Sequence, residues 1–474
     1  MPAFAETLRA GRRYGTQAWP SAAGIKMFHV KHRPPHILLI NPWITDFAAY
    51  NFWIKPLGLL QIASFMRKTG FRVTLIDCLD FYKTREKCGD GKFFKTKIQK
   101  PGALKTIPRQ YSQYGMSEET LLKELSSMEK PDVIGITSGM TYWYPGVFRV
   151  NEIVKELLKG VPVILGGIYA TLCYEHALGF SGADIVLKGS DTLQLSKIIS
   201  ELTNFEFCNP QSAFRIDNLP YPAFDLYPQL DFISIATSRG CPFRCSYCAS
   251  LVLANGFIRR DPFEVVAEIE YWATQYEIRN IAFCDDALLI NPSEHIIPIL
   301  KEVIRRGIQC SFHAPNGLHI REIDEEVAEL LFRNHFKTIR LGFETSNESI
   351  QNETGGKVDN KEFKKAVRSL KRAGYLSEEI GAYIMAGLPG QRVEEIEESI
   401  AFVREIGAKP VLVEYSPIPH TPLFEKAKKM SKFDLENEPL FHNNSIIPCQ
   451  WEGFTLADLK RLKESVRDET IENH

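Results

Sequence analysis

Residues 232–248 read FISIATSRGCPFRCSYC. The opening FISIATS is a short apolar run of the kind that forms a strand buried on both faces. The remainder carries Cys241, Cys245 and Cys248 in the spacing CxxxCxxC, directly past the strand's carboxyl end. The strand-then-helix pattern recurs up to residue 425. Further strands are expected at 280–285, 309–313, 338–344, 380–387 and 410–415, and helices near 262–275, 292–306, 324–335, 361–374, 393–406 and 422–430. Asp261-Pro262 and Asn291-Pro292 each place a capping side chain before a proline at the first helical position. Six β/α units predict a partial barrel whose working end lies at the carboxyl ends of its strands, which puts the cysteine loop on that mouth.

Three thiols on one short loop suit an iron–sulfur cluster or a zinc ion. A structural zinc takes four protein ligands, usually from two close cysteine pairs. No second pair exists here, and a ligand such as His313 would have to come from another strand. A cubane cluster held by three cysteines leaves one iron without a protein ligand, an open position that chemistry can use.

Ahead of the barrel, apolar runs at 36–41, 73–77, 132–137, 161–165 and 183–187 alternate with amphipathic stretches such as 57–69 and 146–158. They predict an α/β, Rossmann-type doubly wound parallel sheet that binds ligands at its strand carboxyl ends. Composition divides the chain into a leader (1–34), the doubly wound domain (35–205), a proline-rich linker (206–230), the barrel (231–425) and a short helical tail (426–474) with a helix near 456–466. The loop from 79 to 116 is long. Its basic part, 81–110, is punctuated by Phe81, Tyr82, Phe93 and Phe94. It reads either as a lid that attracts an anionic substrate or as a solvated surface insertion.

The 474 residues are 44% hydrophobic and 24% charged, with a formal net charge of -1. Nucleic acid and anionic membranes are not expected partners of so balanced a chain. No apolar run reaches the roughly 20 residues a bilayer crossing needs. Ten cysteines, seven of them scattered, in a chain long enough to build its own core point to a reducing cytoplasm. The first 34 residues lack a secretory apolar stretch; with Arg9, Arg12 and Arg13 they read as a disordered leader, a transit peptide, or sequence ahead of a start at Met27.

CPFRCSYC, with Tyr247 before the last cysteine, resembles the radical S-adenosylmethionine (SAM) superfamily. The resemblance implies that Cys241, Cys245 and Cys248 hold a [4Fe–4S] cluster whose open iron chelates SAM. A reducing partner such as flavodoxin or ferredoxin would supply the electron that cleaves SAM to a 5′-deoxyadenosyl radical, which attacks a small-molecule or biosynthetic substrate. FCDDALL (283–289) resembles the family's acidic strand end, so Asp285 and Asp286 are expected near the nucleoside or substrate, with a turn as Asp286's other role. GFETSNESI (342–350) resembles its Gly-x-Glu-Ser segment and implies that Glu344 meets a cationic or hydroxyl group of SAM, against a surface ion pair. GAYIMAGLPGQ (381–391) implies close backbone approach to adenine at Gly387 and Gly390, with Gln391 replacing the usual Glu. SPIPHTPLF (416–424) resembles a segment that commonly reads PGTPLY, with His420 in place of Gly. Cys284 reads as a buried small hydrophobe.

Residues 41–80 and VPVILGGIYATL (161–172) resemble the cobalamin-binding domain often fused ahead of such barrels. Gly166 and Gly167 are then expected beside the cofactor's nucleotide tail. The DxHxxG signature is absent and His36 lies at the wrong end of its strand, so the domain either binds cobalamin without a protein imidazole or keeps only the fold. Tyr142, Trp143 and Tyr144 either line that pocket or pack between domains. The implied activity is a radical SAM reaction, with cobalamin-dependent methyl transfer or a rearrangement as its form. A methylthiotransferase acting on RNA or protein would need an amino-terminal cysteine triad, for which Cys78, Cys88 and Cys173 are poorly placed. A non-enzymatic metal-binding scaffold is the remaining class.

Overall fold

The computed structural model describes residues 33–80, 82–84, 92–189, 192–207, 220–254 and 256–468. Its first sheet is parallel throughout, in the spatial order Ile185–Val186, Val163–Leu165, Val133–Ile136, His36–Asn41, Arg72–Asp77. In chain order this is 5-4-3-1-2. The order of strands, not their direction, reverses between the first and third, and this architecture binds ligands at that crevice. Both faces are covered, which explains the unbroken Val/Ile/Leu runs. Leu38 and Ile40 pack with Leu121, Val147 and Val150 of helices Glu118–Ser127 and Tyr144–Leu157. Ile37 and Leu39, on the opposite pleat, pack with Leu59, Ala63 and Ile199 of helices Leu57–Lys68 and Thr192–Thr203.

The second sheet holds Ile233–Ile235, Asn280–Phe283, Ser311–His313, Phe336–Glu344, Ile380–Ala386 and Lys409–Glu414, parallel and in sequential order. Among the described residues nothing pairs the sixth strand with the first, so this is an open, partial barrel. Helices cover its outer face: Ile339, Leu341 and Phe343 are fully buried, and the Phe343 ring lies 4.2 Å from Phe363 and 5.7 Å from Phe402. The alternating residues Thr338, Arg340, Gly342 and Glu344 therefore take the inner face. Trp53 from the first domain also reaches that face. It stacks on His313 at 3.6 Å, and its carbonyl accepts the Ser234 hydroxyl at 2.7 Å.

Four expectations need correction. The strand expected over 232–238 stops at Ile235, and Ser238–Arg239 leaves the sheet to pair antiparallel with Ile258–Arg259. That two-stranded clip brackets the base of the cysteine loop. Asp261 caps helix Pro262–Gln275 through the N–H groups of Phe263 and Glu264, but Asn291 does not cap. It is left-handed (φ 46) without a side-chain cap bond, Pro292 opens only a 3-10 turn, and the helix starts at Ile296.

The long basic loop is folded: Lys95–Lys97, Ser112–Tyr114 and Ile44–Asp46 form a three-stranded antiparallel sheet. The side chains of Lys95–Lys97 are exposed, while Leu104, Ile107 and Tyr111 are buried against Leu440 and Ile446. Positions 81 and 85–91 of that loop lie outside the described residues.

The tail is more than helix. Between helices Pro422–Met430 and Leu456–Asp468 runs a strap in which His442 and Asn443 are 1% exposed. Asn443 Nδ2 donates to Asp46 Oδ1 at 2.8 Å, His442 Nδ1 lies 2.9 Å from Thr141 Oγ1, and the Tyr144 hydroxyl donates to Glu438 Oε1 at 2.9 Å. The described part of the linker also packs: Phe224 is buried in the barrel core, and the Tyr227 hydroxyl donates to Asp77 Oδ2.

Candidate active site

Two glycines and one carboxylate shape the cysteine loop. Gly240 has φ 80, and a Cβ there would stand 2.1 Å from the Gly256 carbonyl oxygen. Gly355 has φ 123, and its Cβ would lie 3.0 Å from Cys245 Cα. Only glycine allows either approach. The Ser246 N–H donates to Thr354 O at 3.1 Å, and Ser246 O accepts the Leu423 N–H at 2.9 Å. The loop is thus held between the segments that follow the fourth and sixth barrel strands.

Asp285 is 4% exposed and accepts from the N–H and hydroxyl groups of both Thr237 and Ser238 at 2.5–3.2 Å. Burial pushes its carboxyl pKa up while these donors oppose the shift. Expected beside the nucleoside or substrate, Asp285 has its oxygens committed to the strand end that launches the cysteine loop. Asp286 is exposed and accepts the Ser250 hydroxyl at 2.8 Å.

The three thiols are half-buried and free of disulfides. Each has its own polar neighbour. Cys241 Sγ lies 4.0 Å from His319 Nε2, on a ring that stacks against Phe243. Cys248 Sγ lies 3.2 Å from Ser250 Oγ and accepts the Ser250 N–H at 3.5 Å. Cys245 is beside the Tyr247 hydroxyl and the Lys357 ammonium. Burial pushes the Cys241 thiol up to about 11; it also raises Cys245, against the pull of Lys357. Thiols held protonated this way ionise when a cationic metal core replaces their protons. Among the described residues no three His, Cys, Asp or Glu side chains meet around a single ion's position. A cubane gives each thiolate its own iron, and three thiols that each have polar neighbours suit that arrangement.

Glu344 ends the fourth barrel strand with φ 71, at a register break between Gly342 and Glu344. The irregularity re-aims a carboxylate at the mouth, and such strain collects at functional sites. Its Oε1 accepts Lys357 Nζ at 2.6 Å and the Tyr247 hydroxyl at 3.2 Å. Burial alone would lower the Lys357 pKa, but Glu344, Cys245 and Cys248 outweigh it and hold the ammonium charged. The carboxylate is therefore paired inside the site, not on the surface: the two side chains are 19% and 12% exposed.

Gly387 and Gly390 take φ 89 and 79, left-handed values that favour glycine. A Cβ on Gly387 would meet Ile447 and Phe454 of the carboxy-terminal strap, and one on Gly390 would face Met430. Gln391 is the keystone of that turn: its Oε1 accepts the N–H groups of Gly387 and Leu388, and its Nε2 donates to Met385 O at 2.9 Å. A glutamate could not make the last bond, which accounts for the amide here. Cys284 is half-buried, its thiol pushed up to about 12 by burial.

On the first sheet's strand-end edge, Gly167 (φ 98) backs onto Ser138, whose O would be 2.4 Å from a Cβ, while Gly166 faces open space. The Ser138 hydroxyl donates to Gly166 O at 2.6 Å. Tyr142 is buried, Trp143 Nε1 donates to Asp46 Oδ2 at 2.9 Å, and Tyr144 stacks on Tyr169 at 5.7 Å. These aromatics join the edge to the strap. His36 is buried at the opposite strand end, 2.8 Å from Thr74 Oγ1. Helix Ser250–Leu253, beginning two residues past Cys248, touches helix Ile168–Leu172, and Met140, Ile168, Leu251 and Val252 are exposed around that contact. Cys78 is buried in the first core and Cys173 lies between two helices; Cys88 is outside the described residues. Lys357, His319, Ser250 and Gly355 carry no local sequence signal, because each gains its role only from contacts across the barrel mouth.

Residues 235–403 match the family model described as the Radical SAM superfamily. A Pyrococcus horikoshii protein named as an uncharacterized methyltransferase is 25% identical over 380 residues, covering 73% of this chain and 77% of that protein. The anaerobic magnesium-protoporphyrin IX monomethyl ester cyclase of Rubrivivax gelatinosus is 22% identical over 360 residues, covering 68% of this chain and 63% of its own length. The structure of TsrM from Kitasatospora setae, a radical S-adenosylmethionine methyltransferase with cobalamin and a [4Fe-4S] cluster bound, matches with a TM-score of 0.62 at 16% identity, over 85% of this chain and 76% of that one. That likeness spans both sheets and concerns the fold. The chain therefore carries a radical SAM domain over residues 235–403, the domain of an enzyme superfamily, preceded by a sheet of cobalamin-binding-like fold.

Proposed function

We propose that this protein is a cobalamin-dependent radical SAM methyltransferase acting on a small or biosynthetic substrate. The observation that carries this reading is the apposition of the cysteine loop and the ligand edge of the first sheet. Helix Ser250–Leu253 rests on helix Ile168–Leu172, with exposed apolar side chains from both. A flat corrin ring needs apolar walls, and methyl transfer needs carrier and cluster on one chamber.

Cys241, Cys245 and Cys248 would hold the cluster. Glu344, oriented by Lys357 and Tyr247, would receive the amino group of SAM. Asp285 fixes the loop's take-off, and Gly166 with Met140 and Ile168 would face cobalamin. Bound there, the cluster and SAM supply electron transfer and the methyl or radical source, and cobalamin supplies a methyl carrier. The DxHxxG motif is absent, so no residue of this chain is assigned as an imidazole ligand to that group. The cyclase relative belongs to another reaction type, and nothing at the mouth favours ring closure over methyl transfer.

A titration of the full-length chain with hydroxocobalamin tests this. The expected result is about one equivalent retained through gel filtration, with the absorption of a cobalamin that has no histidine ligand. Free elution of all the cobalamin would contradict the proposal.

A further inference from the structure

His420 lies in the loop after the sixth barrel strand at φ 68. A residue with a Cβ rarely takes this left-handed conformation, which glycine enters freely. Burial does not compensate, because His420 is exposed. What the conformation gives is one contact: Nε2 lies 3.0 Å from the Leu172 carbonyl. A carbonyl only accepts, so Nε2 carries the proton and donates. Leu172 ends the helix that starts just past Gly167, and its carbonyl is among those a helix leaves without an internal partner.

The same loop also grips the cysteines. The Leu423 N–H donates to Ser246 O at 2.9 Å, between Cys245 and Tyr247, and the Thr421 hydroxyl closes the turn onto Ile418 O at 2.8 Å. Within four residues the chain binds the cysteine loop at one end and the first sheet's ligand edge at the other.

We propose that His420 is a positioning residue, a latch that sets the spacing between the cysteine loop and the edge formed by Gly166, Gly167 and helix Ile168–Leu172. Its strained backbone is the structural cost of aiming the imidazole across the gap. The consequence for catalysis rests on the function proposed above: a latched edge would present its methyl carrier to the cluster side at a fixed distance.

The test uses full-length His420→Gly and His420→Gln variants. Glycine relieves the strain and removes the donor; glutamine keeps an amide N–H at similar reach. In hydrogen exchange without cofactors, the Thr171 and Cys173 amides of His420→Gly should exchange about fivefold faster, the population shift expected for one lost hydrogen bond. The thermal midpoint should not fall. His420→Gln should exchange at nearly the wild-type rate. Unchanged exchange in His420→Gly, or equally fast exchange in His420→Gln, would overturn the latch. Exchange reads the latch alone and cobalamin retention reads the functional proposal, so the two can fail separately.

Discussion

Cys245→Ala, purified and reconstituted without oxygen, should lose the visible iron–sulfur absorption and fall from about four irons per chain to below one. Cys245 is closely packed: Gly355 presses on its Cα, Ser246 is tied on both sides, and Tyr247 and Lys357 adjoin its sulfur. Among the described residues the other cysteines are Cys78, Cys173, Cys284, Cys310 and Cys449, all away from the loop's own spacing. Cys284 is the first cysteine after the motif, and it sits at the second barrel strand's end with its thiol pushed up to about 12 by burial. Cys284→Ala should keep the full iron content and serves as the control. Wild-type absorption in Cys245→Ala would show that the ligand set is wrong.

The second large effect should come from Asp285→Ala. Its carboxylate satisfies two backbone N–H groups and two hydroxyls in a site closed to water, and Thr237 is further held by His295 Nε2 at 2.8 Å. Removing it leaves several buried donors unpaired, at a cost of roughly 3–5 kcal/mol. The thermal midpoint should drop by several degrees and cluster loading should fall with it, since the loop loses the anchor at Thr237 and Ser238. Asp285→Asn keeps one accepting oxygen and should lie between wild type and alanine in both measurements. An Asp285→Ala protein with wild-type stability and iron content would refute the anchoring role.

The sequence exposes the parts of this molecule that local patterning controls. Both parallel sheets follow from apolar runs separated by amphipathic helices, and the helix expected at 262–275 is observed as Pro262–Gln275 because Asp261 and Pro262 set its start from within. The cysteine loop is legible because its spacing is a signal on its own. Long-range contacts are not. His442 and Asn443 look like ordinary polar tail residues until Thr141 and Asp46, some 300 and 400 positions earlier, are found as partners. Lys357 is one of many lysines until the fold brings it to Glu344. Asn291 shows a local signal overruled: a capping residue before proline loses its function when its own backbone turns left-handed. Gly387 and Gly390 show that a local motif does not announce its long-range neighbours, here Ile447, Phe454 and Met430.

The most direct measurement is made on the reconstituted full-length protein, incubated anaerobically with SAM and a strong reductant, with cobalamin present and absent. The expected result is that SAM is consumed and that 5′-deoxyadenosine or S-adenosylhomocysteine accumulates only when the cluster is loaded. An intact, reducible cluster that yields neither product under any reducing condition would contradict it.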